Sequence, residues 1–235
     1  MTSRIGIIKT GTTHPRLRCI FGDFESWFQD SVSHGHFTTY DVAGGEKPPA
    51  INECDGYIIT GSPAMVTEQL PWSENLKPWI QQVVGARRPL LAVCYGHQLL
   101  ADALGGEAGW HPRGREIGTV SVRLNDAGKQ DELLGSLPET FLAQVTHAQS
   151  ALILPPGATL LASNQYEPHQ AYRVGERAWG VQFHPEFTSD IMRGYIFEAY
   201  EKLLAAKIPV KKLLASVTHA DANQHLIQRF VDLCE

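Results

Sequence analysis

Cys94 ends an apolar run, Leu90-Leu91-Ala92-Val93, and Tyr95-Gly96-His97-Gln98-Leu99-Leu100 follows at once with the pattern of a helix. A thiol on so sharp a strand-to-helix turn projects from the carboxyl edge of a sheet, as in a nucleophile elbow. The turn demands small neighbours, and Ala92 and Gly96 stand two residues to either side. The N-terminus of the helix adds free N–H groups and the positive end of a dipole. These favour a thiolate and can hold an oxyanion. Taken alone, a cysteine near a glycine is more often an inert buried thiol. A nucleophilic cysteine needs a base, and the base needs an orienting group.

Both stand ninety residues further on, in Trp179-Gly180-Val181-Gln182-Phe183-His184-Pro185-Glu186. Trp179–Phe183 reads as a strand with His184 just past its end. Pro185 fixes the chain direction, and Glu186 is placed to hold the imidazole by its second nitrogen. Separately, each has an ordinary reading as a satisfied histidine or a solvated carboxylate. Together with Cys94 they read as base and orienter. A third segment, Tyr57–Pro63, is a strand that ends in a tight turn where Gly61 lets a substrate approach the backbone closely. The amides of Gly61 and Tyr95 are the candidate oxyanion donors, although the same segment alone also fits an ordinary strand-terminal turn.

These residues require a scaffold of short apolar strands alternating with helices. Ile5–Lys9, Phe37–Val42, Gly56–Thr60 and Pro89–Cys94 read as strands. Helical patterns run from Leu17 to about Ser31, from Pro71 to about Ala86 and over Gly96–Leu104, where Gly105-Gly106 stops the last. This alternation predicts an α/β fold with a mixed, mostly parallel central sheet covered by helices on both faces. Ile117–Leu124, Phe141–Thr146, Thr159–Asn164, Gln170–Val174 and Trp179–Phe183 are strands separated by turns, which predicts antiparallel pairs added to that sheet. From about Ser189 the pattern is helical. Ile208-Pro209 separates two helices, and Asp221 is placed to cap a last one ending near Cys234. No linker-like segment divides the chain, so residues 1–235 read as one domain with a helical C-terminal extension. Lys211–Glu235 is amphipathic, fit to cover the sheet or to form a dimer face.

Composition narrows the function. The 235 residues are 43% hydrophobic and 19% charged, with 21 Gly, 14 Pro and a net charge of −5. That supports a packed core and argues against a disordered chain, a coiled coil or a nucleic-acid binder. The apolar runs are far shorter than a membrane span. Cys19, Cys54, Cys94 and Cys234 are scattered, without a C-x-x-C pair. Neither a zinc site nor a disulfide framework is expected, and the expected location is the cytoplasm. Trp110–Arg115 concentrates positive charge near the expected cleft rim. It would dock a partner or grip an acidic substrate, or form a hairpin whose arginines pair with Glu116 or nearby acids. His14-Pro15-Arg16 falls at the same sheet edge as Cys94, where it would shape the entrance or be a plain polar loop. Trp72 and Trp79 read as helix packing.

Cys94-Tyr95-Gly96-His97-Gln98 with Leu104-Gly105-Gly106, then Gln182–Glu186 and Ile59–Pro63, resemble in order the motifs of the class I glutamine amidotransferases. Ala92 departs from the glycine usual there. Pro112–Gly118 and Thr146-His147 are similar to the stand-alone subgroup related to the glutaminase domain of GMP synthase, which includes plant γ-glutamyl peptidases. The resemblance implies a sheet of about seven strands, a Cys94-His184-Glu186 triad, an oxyanion hole at Gly61 and Tyr95, and no cofactor. It implies attack of a thiolate on a γ-glutamyl amide. Gln98, Thr146 and His147 would hold the α-amino and α-carboxylate groups of the glutamyl part, against plainer readings of Gln98 as packing and His147 as a surface residue. No synthase segment follows Glu235, so an acceptor subunit is expected to be separate or absent. Three readings stay open: a glutaminase supplying ammonia to a partner, a self-sufficient γ-glutamyl peptide hydrolase, and a silent binding module.

Overall fold

The computed structural model describes residues 2–220 and 222–235, so the cap expected at Asp221 lies outside the described residues. Strand β1 (Arg4–Lys9) leads into helices α1 (Pro15–Phe21) and α2 (Phe24–Asp30). Strands β2 (His36–Asp41) and β3 (Gly56–Ile59) follow, then α3 (Pro71–Gly85), β4 (Leu90–Val93) and α4 (Tyr95–Ala103). Next come β5 (Glu107–Trp110), β6 (Glu116–Leu124), the short α5 (Asp126–Lys129), β7 (Thr140–His147) and β8 (Gln149–Ile153). Strands β9 (Thr159–Ser163), β10 (Ala171–Val174) and β11 (Ala178–Val181) complete the sheets. Helices α6 (Ser189–Glu198), α7 (Tyr200–Ala205), α8 (Val210–Ser216) and α9 (Ala222–Leu233) close the chain.

The main sheet has nine strands in the order β2-β1-β3-β4-β11-β10-β9-β6-β7, against the seven or so that the resemblance implied. The first five are mutually parallel, with β4 flanked by β3 and β11. From β10 onward the pairs are antiparallel. Alternation along the parallel strands divides the core between two faces. Ile5, Ile7, Ile58, Leu91 and Val93 pack under Phe28 of α2 and under Leu226, Phe230 and Val231 of α9. Ile8, Tyr57, Ile59, Leu90 and Ala92 pack under Ile80 and Val83 of α3 and Leu99 and Leu100 of α4. The amphipathic C-terminal segment therefore covers the sheet. Trp79 is core as expected, its Nε1 donating to the Pro49 carbonyl at 2.7 Å.

The helix expected across Leu17–Ser31 is two helices. Gly22 takes φ +83°, and Asp23 then caps α2 by accepting from the Phe24 amide at 2.9 Å. Lys9 fixes this break from below, with Nζ 2.8 Å from Asp23 Oδ2 and 2.8 Å from Glu25 Oε1. The apolar spacing ran through a corner that local cap chemistry decides. A second difference is the antiparallel pair of β5 and β8, apart from the main sheet. Glu107-Ala108-Gly109-Trp110 lacks the alternation that marks a strand.

Candidate active site

Residues that follow adjacent parallel strands meet at the carboxyl edge of the sheet. Gly61 follows β3, Cys94 follows β4 and His184 follows β11. Because β4 lies between the other two, Cys94 stands in the centre. Its amide donates to the Val181 carbonyl at 2.9 Å, and its carbonyl accepts from the Gln98 amide at 3.1 Å. The Cys94 backbone takes φ +51° and ψ −98°, a region costly for any side chain. Gly96 makes the corner possible: a Cβ there would lie 2.9 Å from both the carbonyl oxygen and Cγ2 of Ile59.

His184 is 2% exposed and Glu186 1%. Nδ1 of His184 lies 2.7 Å from Oε1 of Glu186. Cys94 faces the same imidazole closely enough that its charge favours the imidazolium. Burial disfavours the imidazolium, but the charges of Glu186 and of an ionised Cys94 outweigh it and raise the His184 pKa to about 10. Phe187 stacks on the ring with centroids 4.0 Å apart. A Cβ at Gly61 would come 2.9 Å from His184 Cε1, so only glycine lets the turn approach the imidazole this closely. The His184 amide donates to the Gln144 carbonyl at 2.8 Å, tying the turn to β7. Tyr95 turns its side chain inward, with its hydroxyl 2.6 Å from Ser73 Oγ.

Cys94 and His184 line a cleft of about 270 Å³ with Tyr95, Gln98, Thr146 and His147. Cys94 Sγ lies 3.9 Å from the Thr146 carbonyl. The Gln98 side-chain amide donates to the Gln149 carbonyl at 2.8 Å and to Gln182 Oε1 at 3.0 Å. His147 is buried, with Nε2 2.9 Å from Glu116 Oε2 and Nδ1 2.9 Å from the Gln149 carbonyl. Both ring nitrogens are thus engaged within the protein, where they hold the Thr146–Gln149 segment in shape.

The Arg113 and Arg115 side chains do not pair with Glu116, as the hairpin reading expected. Glu116 instead serves His147, Asn164 and Gln170. Arg113 lies over the Tyr166 ring, 4.3 Å from its centroid. Arg115 lines the cleft. So do Tyr195, Glu198 and Lys202, which the sequence reading did not single out. Their helices α6 and α7 carry no motif, and only the folded chain brings them over the sheet edge. His14 does reach the cleft, as its place after β1 implied. Among the described residues no group of three His, Cys, Asp or Glu side chains is arranged to hold a metal ion. No helix there is long and apolar enough to cross a membrane.

A family model described as "Glutamine amidotransferase class-I" matches residues 36–203. A GMP synthase [glutamine-hydrolyzing] of Aeropyrum pernix is 36% identical over 150 residues, which are 63% of this chain and 27% of that protein. The chain therefore spans about a quarter of that relative. Gamma-glutamyl peptidase 3 of Arabidopsis thaliana is 27% identical over 72% of this chain and 68% of that one. The crystal structure of a glutamine amidotransferase from Thermotoga maritima shares the fold with a TM-score of 0.79. It is 22% identical, over 100% of this chain and 98% of that one.

Proposed function

Because the chain belongs to the class I glutamine amidotransferase family, we propose that it hydrolyses a γ-glutamyl amide through a thioester on Cys94. The observation that carries this reading is the meeting of Cys94, His184 and Glu186 at neighbouring strand ends, with the imidazole held 2.7 Å from its carboxylate. The Cys94 thiolate attacks the γ-carbonyl carbon while His184 holds the proton. The amides of Gly61 and Tyr95 receive the developing oxyanion, each worth about 3–4 kcal/mol by the measure of other such holes. The tetrahedral intermediate collapses, the C–N bond breaks, and His184 passes its proton to the departing nitrogen. Water, deprotonated by His184, then attacks the thioester and releases glutamate. Glu186 keeps the ring oriented and its cation favourable throughout. Gln98 and Thr146 border the glutamyl part, and His147 shapes the segment that Thr146 opens.

The departing group is ammonia in the first reading, with glutamine as substrate and a separate synthase subunit as acceptor. The second reading, a peptide or amine leaving group, draws support from the polar wall of His14, Glu198 and Lys202 along the same cleft. Ammonia has no use for such a wall. In either case the 235 residues act as one amidotransferase-like domain, with α9 built into its core, in a reducing cytoplasm that keeps Cys94 from oxidation.

Glutamate release by the purified protein tests the proposal, from glutamine and from a panel of γ-glutamyl peptides, with Cys94→Ala as control. Turnover of either substrate class that vanishes in Cys94→Ala is the expected result. Turnover equal in the variant refutes the scheme.

A further inference from the structure

Arg115 sits between β5 and β6 and lines the cleft that holds Cys94. Among the described residues its guanidinium makes one hydrogen bond, from Nη1 to Thr146 Oγ1 at 3.3 Å. A guanidinium carries five N–H donors in a fixed fork, so most of its capacity is unspent. Among the described residues no carboxylate pairs with it, because Glu116, its neighbour in sequence, is committed to His147, Asn164 and Gln170. Arg113 on the same loop is occupied with Tyr166. The burial of Arg115 penalises its charge, while a negative charge on Cys94 favours it. A partly buried, permanently charged cation without an anionic partner is expensive unless a ligand supplies one.

We propose that Arg115 is the carboxylate receptor of the cleft, binding a carboxylate of the γ-glutamyl substrate; this rests on the hydrolase reading above. Two substrate groups have the required chemistry, the α-carboxylate of the glutamyl half and a carboxylate on the leaving half. The fork geometry suits a planar carboxylate through two parallel N–H bonds. Thr146 Oγ1 holds one edge of the guanidinium, and its carbonyl lies 3.9 Å from the Cys94 sulfur. The bound carboxylate is thereby set beside the nucleophile, on the segment where the glutamyl part is placed.

The test has two arms, each run on wild type, Arg115→Gln and Arg115→Lys, with folding checked by circular dichroism. The first follows alkylation of Cys94 by iodoacetamide with increasing L-glutamate and needs no turnover. The second compares γ-glutamylglycine with γ-glutamylmethylamide, which differ in the leaving-group carboxylate. If the α-carboxylate is the ligand, Arg115→Gln raises the half-protecting glutamate concentration and both KM values at least tenfold, with Arg115→Lys between. If the leaving-group carboxylate is the ligand, only γ-glutamylglycine loses, again in KM, and protection by glutamate is unchanged.

Protection and both KM values within twofold of wild type overturn the proposal. So does a loss confined to kcat, or a slower alkylation of the free variant with unaltered protection, which would make Arg115 a support for the thiolate. A wild-type protein that glutamate protects through Arg115 but that cleaves neither amide keeps the receptor and refutes the hydrolase. One that does neither refutes both.

Discussion

Glu186 Oε1 lies 2.7 Å from His184 Nδ1 although only Pro185 stands between the two residues. The proline fixes the local φ, and the chain folds back so that the carboxylate meets the ring it follows. Both groups are buried, so their attraction is weakly screened. That pairing, with the charge of Cys94 nearby, is why the His184 proton is held up to about pH 10 against the cost of burial.

In the proposed scheme His184 carries the proton that releases the leaving group. Its proton is lost as pH rises through about 10, so the alkaline limb of kcat/KM should fall there. Glu186→Gln removes the largest influence that raises the proton affinity and leaves the burial penalty. The limb should move to lower pH, and kcat at neutral pH should drop by about 10²–10⁴-fold. A full pH profile of both proteins checks this. A limb that stays in place would detach Glu186 from the proton.

The strain at Cys94 predicts an inverted order of stability. At ordinary positions Gly is less stable than Ala by roughly 0.5–1 kcal/mol. With φ at +51°, a Cβ costs about 1–3 kcal/mol. Cys94→Gly should therefore be more stable than Cys94→Ala by about 1 kcal/mol, with both inactive. Urea unfolding of the two variants measures the difference, and the usual order would mean that the corner relaxes freely.

The turns at Cys94, His184 and Gly61 were legible because each ends a short apolar strand with a residue type that a sharp turn or a close backbone approach favours. Cys94 between Ala92 and Gly96, His184 before Pro185, and Gly61 before Ser62-Pro63 carry that signal locally. The parallel block of the sheet follows from the same strands. The break at Gly22-Asp23 was hidden because the apolar spacing of Leu17, Phe21, Phe24 and Phe28 continues across it, while the deciding partner, Lys9, lies on β1. Arg115 was placed at the rim, but its freedom from Glu116 depends on His147, thirty-one residues away in sequence. Tyr195, Glu198 and Lys202 had no local signal at all: their place in the cleft is set by how α6 and α7 pack.

Gly61 offers a test in which geometry changes and chemistry does not. A methyl group there would lie 2.9 Å from His184 Cε1 and 3.3 Å from Phe24 Cε1. The imidazole must then shift from its place beside Cys94. A displacement near 1 Å is enough to cost about 10²-fold in rate. Gly61→Ala should keep its fold, lose about that much kcat, and react more slowly with iodoacetamide at Cys94. Steady-state kinetics and alkylation rates on the same preparation check both. Unchanged kinetics would mean that the turn, rather than the ring, gives way.

His97 predicts an acid sensitivity that is independent of catalysis. It lies fully buried beneath the elbow, its ring tilted against Tyr172 at 4.7 Å between centroids. Burial pushes its pKa down to about 3, against the weaker opposing pull of the Gly180 backbone. An unfolded chain protonates the same residue near 6.5. Between those values the unfolded state binds the extra proton, so stability rises with pH and is lost as pH falls below about 6.5. The slope contributed by this one group approaches 1.4 kcal/mol per pH unit. His97→Leu removes it while keeping an apolar group in the core. The stability gap between variant and wild type should then shift in favour of the variant as pH drops from about 6.5 to 4.5 and be constant above pH 7.5. Urea unfolding across that range measures it, and parallel curves would show that His97 takes up its proton equally in both states.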